Sequence, residues 1–387
     1  MKINKHCFPN GLRLVHYEDT STQMVALNIV YDVGARDEHP EHTGFAHLFE
    51  HLMFGGSAHI PDYDTPLQLA GGENNAWTNN DITNYYLTVP KPNVETAFWL
   101  ESDRMLELAF SEQSLEVQRG VVMEEFKQRC LNQPYGDVGH LFRPLAFRVH
   151  PYRWPTIGKE LSHIEQATLD EVKSFFYRFY APNNAVLAVT GNISWDETVK
   201  LTEKWFAPIP RRDVPVRQLP QEPEQTQERR LTVERNVPLD ALFMGYHMCS
   251  REGADYYAFD ILSDILSNGR SSRLNRRLVQ EQNIFSGIDA YISGTRDAGL
   301  LQISGKPAAG VSLEQAEAAV RKELEELQRS PVDGQELEKV KNKFESTQIF
   351  GNINYLNVAT NLAWFELTGK AEDIDLEVER YRSVTTE

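Results

Sequence analysis

The sequence predicts an α+β protein made of two related α/β domains. Three observations carry that prediction. The chain has 387 residues, more than a single core usually organises. Strand-like and helix-like segments alternate through its first half. After a proline-rich stretch the alternation restarts, and a helix of the first half has a counterpart in the second.

The elements follow in order. "RLVHYED" (13–19) and "MVALNIVYDVGA" (24–35) read as strands, rich in β-branched residues and stopped by glycine. "HTGFAHLFEHLMFGG" (42–56) reads as a helix, with Thr43 as N-cap and Gly55-Gly56 as its stop. "AWTNNDITNYYLTVP" (76–90) is a strand region. Two helices follow over 94–110 and 111–133, the second capped by Ser111. "TLDEVKSFFYRFY" is a helix behind Thr168, and "AVLAVTGNIS" is a buried strand. Residues 208–230 carry five prolines and several charges, the composition of an interdomain linker. The expected division is therefore a first domain over 1–208, a linker over 209–230 and a second domain over 231–387. In the second domain, 229–248 offers two strands, 254–269 a helix, "LLQISGK" a strand, and 312–330 and 333–350 two long helices. The terminal "SVTTE" resembles a helix N-cap with no helix behind it, so this domain is expected to be truncated at its C-terminus.

The repeat is most visible when "GFAHLFEHLMFGG" is laid over "YAFDILSDILSNG". Leu48, Phe49, Leu52 and Met53 fall on Ile261, Leu262, Ile265 and Leu266, and the final glycines coincide. His47, Glu50 and His51 fall on Asp260, Ser263 and Asp264. The apolar scaffold thus occurs twice and the histidines once.

Composition excludes several classes. Acidic residues outnumber basic ones 56 to 39, for a formal net charge of −17. Nucleic acids and anionic membranes call for the opposite sign, so neither is an expected partner. The three cysteines, Cys7, Cys130 and Cys249, are too few and too scattered for a disulfide framework or a thiolate zinc site. They favour a reducing compartment. No signal-peptide core opens the chain, and no apolar run reaches the ~18 residues of a membrane span. The cytoplasm is the default expectation.

The chemistry lies in the helix over 44–56. His47 and His51 stand at i and i+4, so both rings leave one face of the helix and reach one ion. Glu50 sits beside them without having to ligate. The pattern H-x-x-E-H inverts the common H-E-x-x-H zinc motif. Two core histidines satisfied by hydrogen bonds would give the same residues. A buried ionisable trio, however, is costly unless paired or ligated, which favours a metal. A catalytic zinc takes three protein ligands and keeps one position open. The third candidate is Glu125 in "VVMEEFKQR", on the face of Val121, Val122 and Leu115. Glu124 is turned about 100° away, towards solvent and Gln128.

Together, "GFAHLFEHLMFGG", "NNAWT", "TNYYLTVP" and "VQRGVVMEEFKQ" resemble the pitrilysin–insulysin family of zinc peptidases, and within it the bacterial members similar to mitochondrial processing peptidase. The resemblance covers nearly the whole chain. It implies two α/β domains, each a mainly antiparallel sheet with helices packed on it, forming one half of a clamshell. It implies a zinc endopeptidase with one zinc per chain on His47, His51 and Glu125, and Glu50 as general base. Asn75 and Ala76 are implied to lie beside the substrate backbone. Two positions depart from the family. Gln118 stands where members often carry a glutamate; it can still hydrogen-bond behind the ligands but brings no charge. Leu278 and Phe285 stand where members often carry an arginine and a tyrosine in the opposing half.

The expected activity is zinc-dependent hydrolysis of peptides or unfolded segments. The alternative is a non-catalytic or partner-dependent subunit of a heteromeric peptidase of the same fold, similar to the core subunits of respiratory complex III. A structural zinc site would want a fourth ligand, usually cysteine, and none is at hand. Half a chamber leaves a site open to water, so a dimer is expected, with a metal-free homologous chain favoured as the partner.

Overall fold

The computed structural model describes residues 1–386; Glu387, the last residue of the expected second domain, lies outside them. The chain divides into two compact units. One is Met1–Glu228 together with Gly351–Asp375, and the other is Arg229–Phe350 with the segment from Leu376 on. No helix among the described residues is long and apolar enough to cross a membrane.

The first unit is built on six strands: β1 (Asn4–Cys7), β2 (Arg13–Glu18), β3 (Met24–Tyr31), β4 (Glu73–Thr78), β5 (Thr83–Pro90) and β6 (Ala185–Gly191), in the order β1-β2-β6-β3-β5-β4. Only β2 and β6 run parallel; the other pairs are antiparallel. β4 is therefore an edge strand. Along β3 the run "MVALNIVY" is almost wholly buried, the mark of a strand covered on both faces. The helices of this unit are α1 (Phe45–Leu52), α2 (Asp64–Leu69), α3 (Val94–Leu106), α4 (Glu112–Phe126), α5 (Val138–Ala146), α6 (Leu161–Glu165), α7 (Leu169–Phe179) and α8 (Trp195–Trp205). α1, α3, α4 and α7 bury their apolar sides with Leu27, Ile29, Leu87 and Val189 on one face of the sheet.

In the second unit α9 (Tyr256–Ser267), α10 (Leu313–Arg329) and α11 (Gly334–Gly351) accompany a three-stranded antiparallel sheet, β7 (Leu242–His247), β8 (Phe285–Ile292) and β9 (Leu300–Pro307), in the order β7-β9-β8. Only one strand forms over 229–248 where two were expected. Pro238 lacks the N–H a ladder needs, and residues 230–240 are neither helix nor strand.

The expected domain boundary needs correction after α11. α12 (Tyr355–Thr368) belongs to the first unit. It lays Val358, Ala359, Leu362, Ala363 and Leu367 on Val15, Ala26, Val30, Val186 and Ala188, the sheet face that the other helices leave bare. Burying a Leu or Val side chain contributes roughly 1.5–3 kcal/mol, which is reason enough for the exchange. The chain then returns to the second unit with α13 (Glu377–Arg382).

The linker has neither helix nor strand over 210–228, yet it is tied to the first unit. The Arg212 guanidinium donates to the carbonyls of Tyr180 and Leu106, each at 2.7 Å. Arg217 donates to Asp37 at 2.6 Å. The Glu222 carboxylate accepts the N–H groups of Arg148, Val149 and His150 at 2.7, 2.9 and 3.0 Å.

Candidate metal centre

α1 is positioned by a cap other than the one expected. Thr43 stays outside the helix: its hydroxyl meets His163 Nδ1 at 2.8 Å and accepts the Lys159 N–H at 2.7 Å. Gly44 is the N-cap residue, at φ 88°, a left-handed conformation suited to glycine. The free N–H groups of Gly44 and Ala46 donate to the two oxygens of the buried Glu38 carboxylate, both at 2.9 Å. Burial pushes this carboxyl up to about 8, against the pull of those two N–H groups. Leu48, Phe49, Leu52 and Met53 are buried, and Gly56, at φ 100°, turns the chain away past the helix end.

The i, i+4 spacing then delivers both imidazoles to one point. Their centroids are 4.9 Å apart with the rings nearly perpendicular. His47 Nε2 lies 3.5 Å and His51 Nε2 lies 3.4 Å from the same oxygen, Oε2 of Glu125. Glu125 comes from α4, whose N-cap Ser111 accepts the Ser114 N–H at 3.0 Å, as expected. The phase of α4 is partly as predicted. Leu115 and Val122 are buried at 1% and 0%, but Val121 is 46% exposed. Glu125 therefore sits at the margin of the inward stripe. Glu124 faces solvent and accepts from Lys127 at 2.6 Å, not from Gln128.

Electrostatics at the site favour ligation. Burial brings the His47 imidazole down to about 4, so it is neutral and its lone pair is free, the state a metal requires. The His51 hydrogen bond holds the Glu125 carboxyl below its ordinary value. Its other oxygen, Oε1, pairs with Arg129 Nη1 at 2.9 Å. Burial raises the Glu50 carboxyl, and a hydrogen bond from the Thr78 hydroxyl at the end of β4 partly offsets this. The buried Nδ1 of His47 has no hydrogen-bond partner among the described residues.

These residues fit a divalent ion. One donor atom from each of His47, His51 and Glu125 lies within 4.8 Å of the others, and no other His/Cys/Asp/Glu group among the described residues does this. Two imidazoles and one carboxylate form a catalytic zinc donor set, whereas structural sites usually close with four. In the second unit the matching positions are otherwise engaged. Asp260 accepts from the Tyr381 hydroxyl, Ser263 donates to the Asp260 carbonyl at 2.9 Å, and Asp264 accepts from Asn268 at 2.8 Å. Both helices nonetheless bury Leu48, Leu52 and Met53 or their counterparts Ile261, Ile265 and Leu266, with Leu262 only half-buried, and share a left-handed final glycine, Gly56 and Gly269.

The remaining expected residues are placed as follows. Asn75 and Ala76 lie on edge strand β4, opposite Tyr86 and Tyr85 of β5. The Asn75 side-chain oxygen accepts the Ala76 N–H at 2.8 Å. Gln118 is half-buried on α4 and makes no side-chain hydrogen bond among the described residues. Leu278 and Phe285 are core residues of the second unit, 1% and 0% exposed. Sequence reasoning missed Glu38, Thr78 and Arg129, all of which touch the site or its helix.

Against known families, residues 13–137 match the model for the insulinases, peptidase family M16, and residues 166–344 match the model for the M16 inactive domain. The chain belongs to the M16 insulinase family. All three metal-ligand candidates of this M16 chain fall inside the first match, and the repeat helix that lacks the histidines falls inside the second. The zinc protease PqqE of Helicobacter pylori is 29% identical over 338 residues, covering 86% of this chain and 76% of its own. The crystal structure of a protease from Helicobacter pylori superposes with a TM-score of 0.94 at 26% identity, covering 100% of this chain and 94% of its own. The periplasmic protease PqqL of Escherichia coli shares the fold at a TM-score of 0.77 and 20% identity, and this chain spans 45% of it.

Proposed function

We propose that this M16 chain is a zinc-dependent endopeptidase acting on peptides or unfolded segments. The observation that carries the reading is the convergence of His47, His51 and Glu125 donors within 4.8 Å of one another, with Glu50 on the same helix. A zinc ion held there would polarise a carbonyl and lower the pKa of a water towards about 7. Glu50 takes the proton of the attacking water and delivers it to the leaving amine. Burial raises its carboxyl, which suits it to this exchange. The substrate enters as an added strand on the open side of β4. The Ala76 N–H is already satisfied by Asn75 rather than by β5, so it marks the free side of the strand. A substrate carbonyl takes the place of the Asn75 oxygen.

The test is cleavage of a mixed peptide library by the purified chain, with chelator and after zinc is restored. Chelator-sensitive cleavage that zinc rescues supports the reading; cleavage indifferent to chelator contradicts it. A second reading, dependence on a partner, draws on Leu278 and Phe285. Both are sealed in the core of the second unit, where they offer a substrate no polar group. On this reading the chain works as a dimer with a metal-free homologous chain that supplies those groups. Full activity from a strictly monomeric chain contradicts it, and full activity from a homodimer removes its heteromeric part.

A further inference from the structure

We propose that Arg129 is a specificity-determining residue that recognises a carboxylate on the bound peptide, and that it becomes available when a metal ion takes up the charge of Glu125. The inference rests on the metal-site reading above. Glu125 is a shared ligand: its Oε2 faces the two imidazoles at 3.5 and 3.4 Å, while its Oε1 holds Arg129 at 2.9 Å. Arg129 follows α4 in a π-helical turn over Lys127–Leu131 and stands one helical turn beyond Glu125, at i+4. That side chain is 68% exposed, and Glu125 is its one ion-pair partner among the described residues. Its charge is felt at His47, Glu50 and Glu125 alike. The neighbouring cations of α4 are engaged elsewhere, Lys127 with Glu124 at 2.6 Å and Arg119 with Glu116 at 2.9 Å.

Charge counting gives the direction. In the Glu50→Gln chain two neutral imidazoles and the Glu125 carboxylate offset one of the two charges of a zinc ion; in the wild-type chain the Glu50 carboxylate, which need not ligate, offsets part of the other. The position where the family often carries a glutamate holds the neutral Gln118, which offsets nothing. Arg129 then adds a further positive charge and loses most of its hold on Glu125. A guanidinium so placed pairs well with a carboxylate, in a two-pronged, charge-assisted contact. The net charge of −17 does not cancel this, because charges beyond about 10 Å are screened at ordinary ionic strength. The peptide's carboxylate has two sources, an Asp or Glu side chain or the C-terminus.

The consequence is a coupling between zinc and acidic peptides. It is read by fluorescence anisotropy on the full chain carrying Glu50→Gln, so that nothing is cleaved, with and without zinc. The probes are labelled peptides with one Asp moved through each position, their Asn counterparts, and C-terminal acid and amide versions. For at least one probe, zinc should strengthen binding of the carboxylate form about 10-fold more than of its neutral counterpart, within the usual range of coupling between sites. By reciprocity that peptide tightens zinc by the same factor. Adding Arg129→Gln should bring the excess to within about twofold, while Arg129→Lys keeps part of it. An excess seen only with the C-terminal acid assigns the carboxylate to the chain end. Zinc bound without any excess, or an excess that survives Arg129→Gln, overturns the Arg129 inference alone. A chain that binds no zinc overturns the metal-site reading, and this inference with it.

Discussion

The cap of the metal-binding helix makes stability depend on pH in a way one variant isolates. Glu38 is fully buried, its two oxygens accept the Gly44 and Ala46 N–H groups, and its carboxyl is pushed from 4.5 up to about 8. A carboxyl whose pKa is raised by folding favours the folded state fully below its unfolded value. That contribution falls away as pH rises through the folded value. Between about pH 4.5 and pH 8 the loss reaches roughly 5 kcal/mol, at about 1.4 kcal/mol per pH unit. Glu38→Gln keeps the shape but not the titration. It leaves one backbone N–H without an acceptor, a cost of about 1–3 kcal/mol at low pH. The variant should therefore be less stable than wild type near pH 4.5 and gain on it steadily towards pH 8.5. Denaturant unfolding of both proteins, followed by a probe in the first unit, gives the difference at each pH, and every other titrating group cancels. A difference that stays constant from pH 4.5 to 8.5 would refute the reasoning.

Three further outcomes are expected. Glu125→Gln should lose most of the bound zinc and Glu124→Gln should keep it, measured by metal analysis after dialysis; exchanged behaviour would show that the phase of α4 is misassigned. The chain should bind one zinc, because Asp260, Ser263 and Asp264 are engaged with their own neighbours, and a second tightly bound equivalent at neutral pH would contradict this. Leu362→Ala, deep between α12 and the sheet of the first unit, should cost about 2–5 kcal/mol in unfolding experiments. A loss below about 0.5 kcal/mol would mean that α12 does not hold that face.

Much of the site was legible because it is local. The spacing of His47 and His51 decides their common face by helix geometry alone, and Ser111 and Thr168 cap the helices they precede. Glu125 emerged from helix phase, but only through Val122 and Leu115. Val121 is an exposed valine that periodicity could not tell from a buried one. Non-local features stayed hidden. Glu38 acts as a cap across six residues of loop, and nothing in "ARDEHPEHTG" separates it from Asp37 or Glu41. The apolar stripe of α12 announces burial but not which sheet receives it, so the exchange between units was unreadable. β8 was passed over because Gly287 and the register shift beside it break the strand's alternation. Arg129 stands at i+4 from Glu125, a spacing that allows an ion pair on any helix; the sequence does not say that this carboxylate is also the one facing the two imidazoles.

The central claim is that Glu50 does the proton transfer beside a metal held by His47, His51 and Glu125. The most direct measurement is peptide hydrolysis by wild type and Glu50→Gln, each verified to carry one zinc per chain. Removing a positioned general base should lower kcat by roughly 10²- to 10⁴-fold, with zinc content unchanged. Hydrolysis by the zinc-loaded Glu50→Gln chain at the wild-type rate would contradict the account.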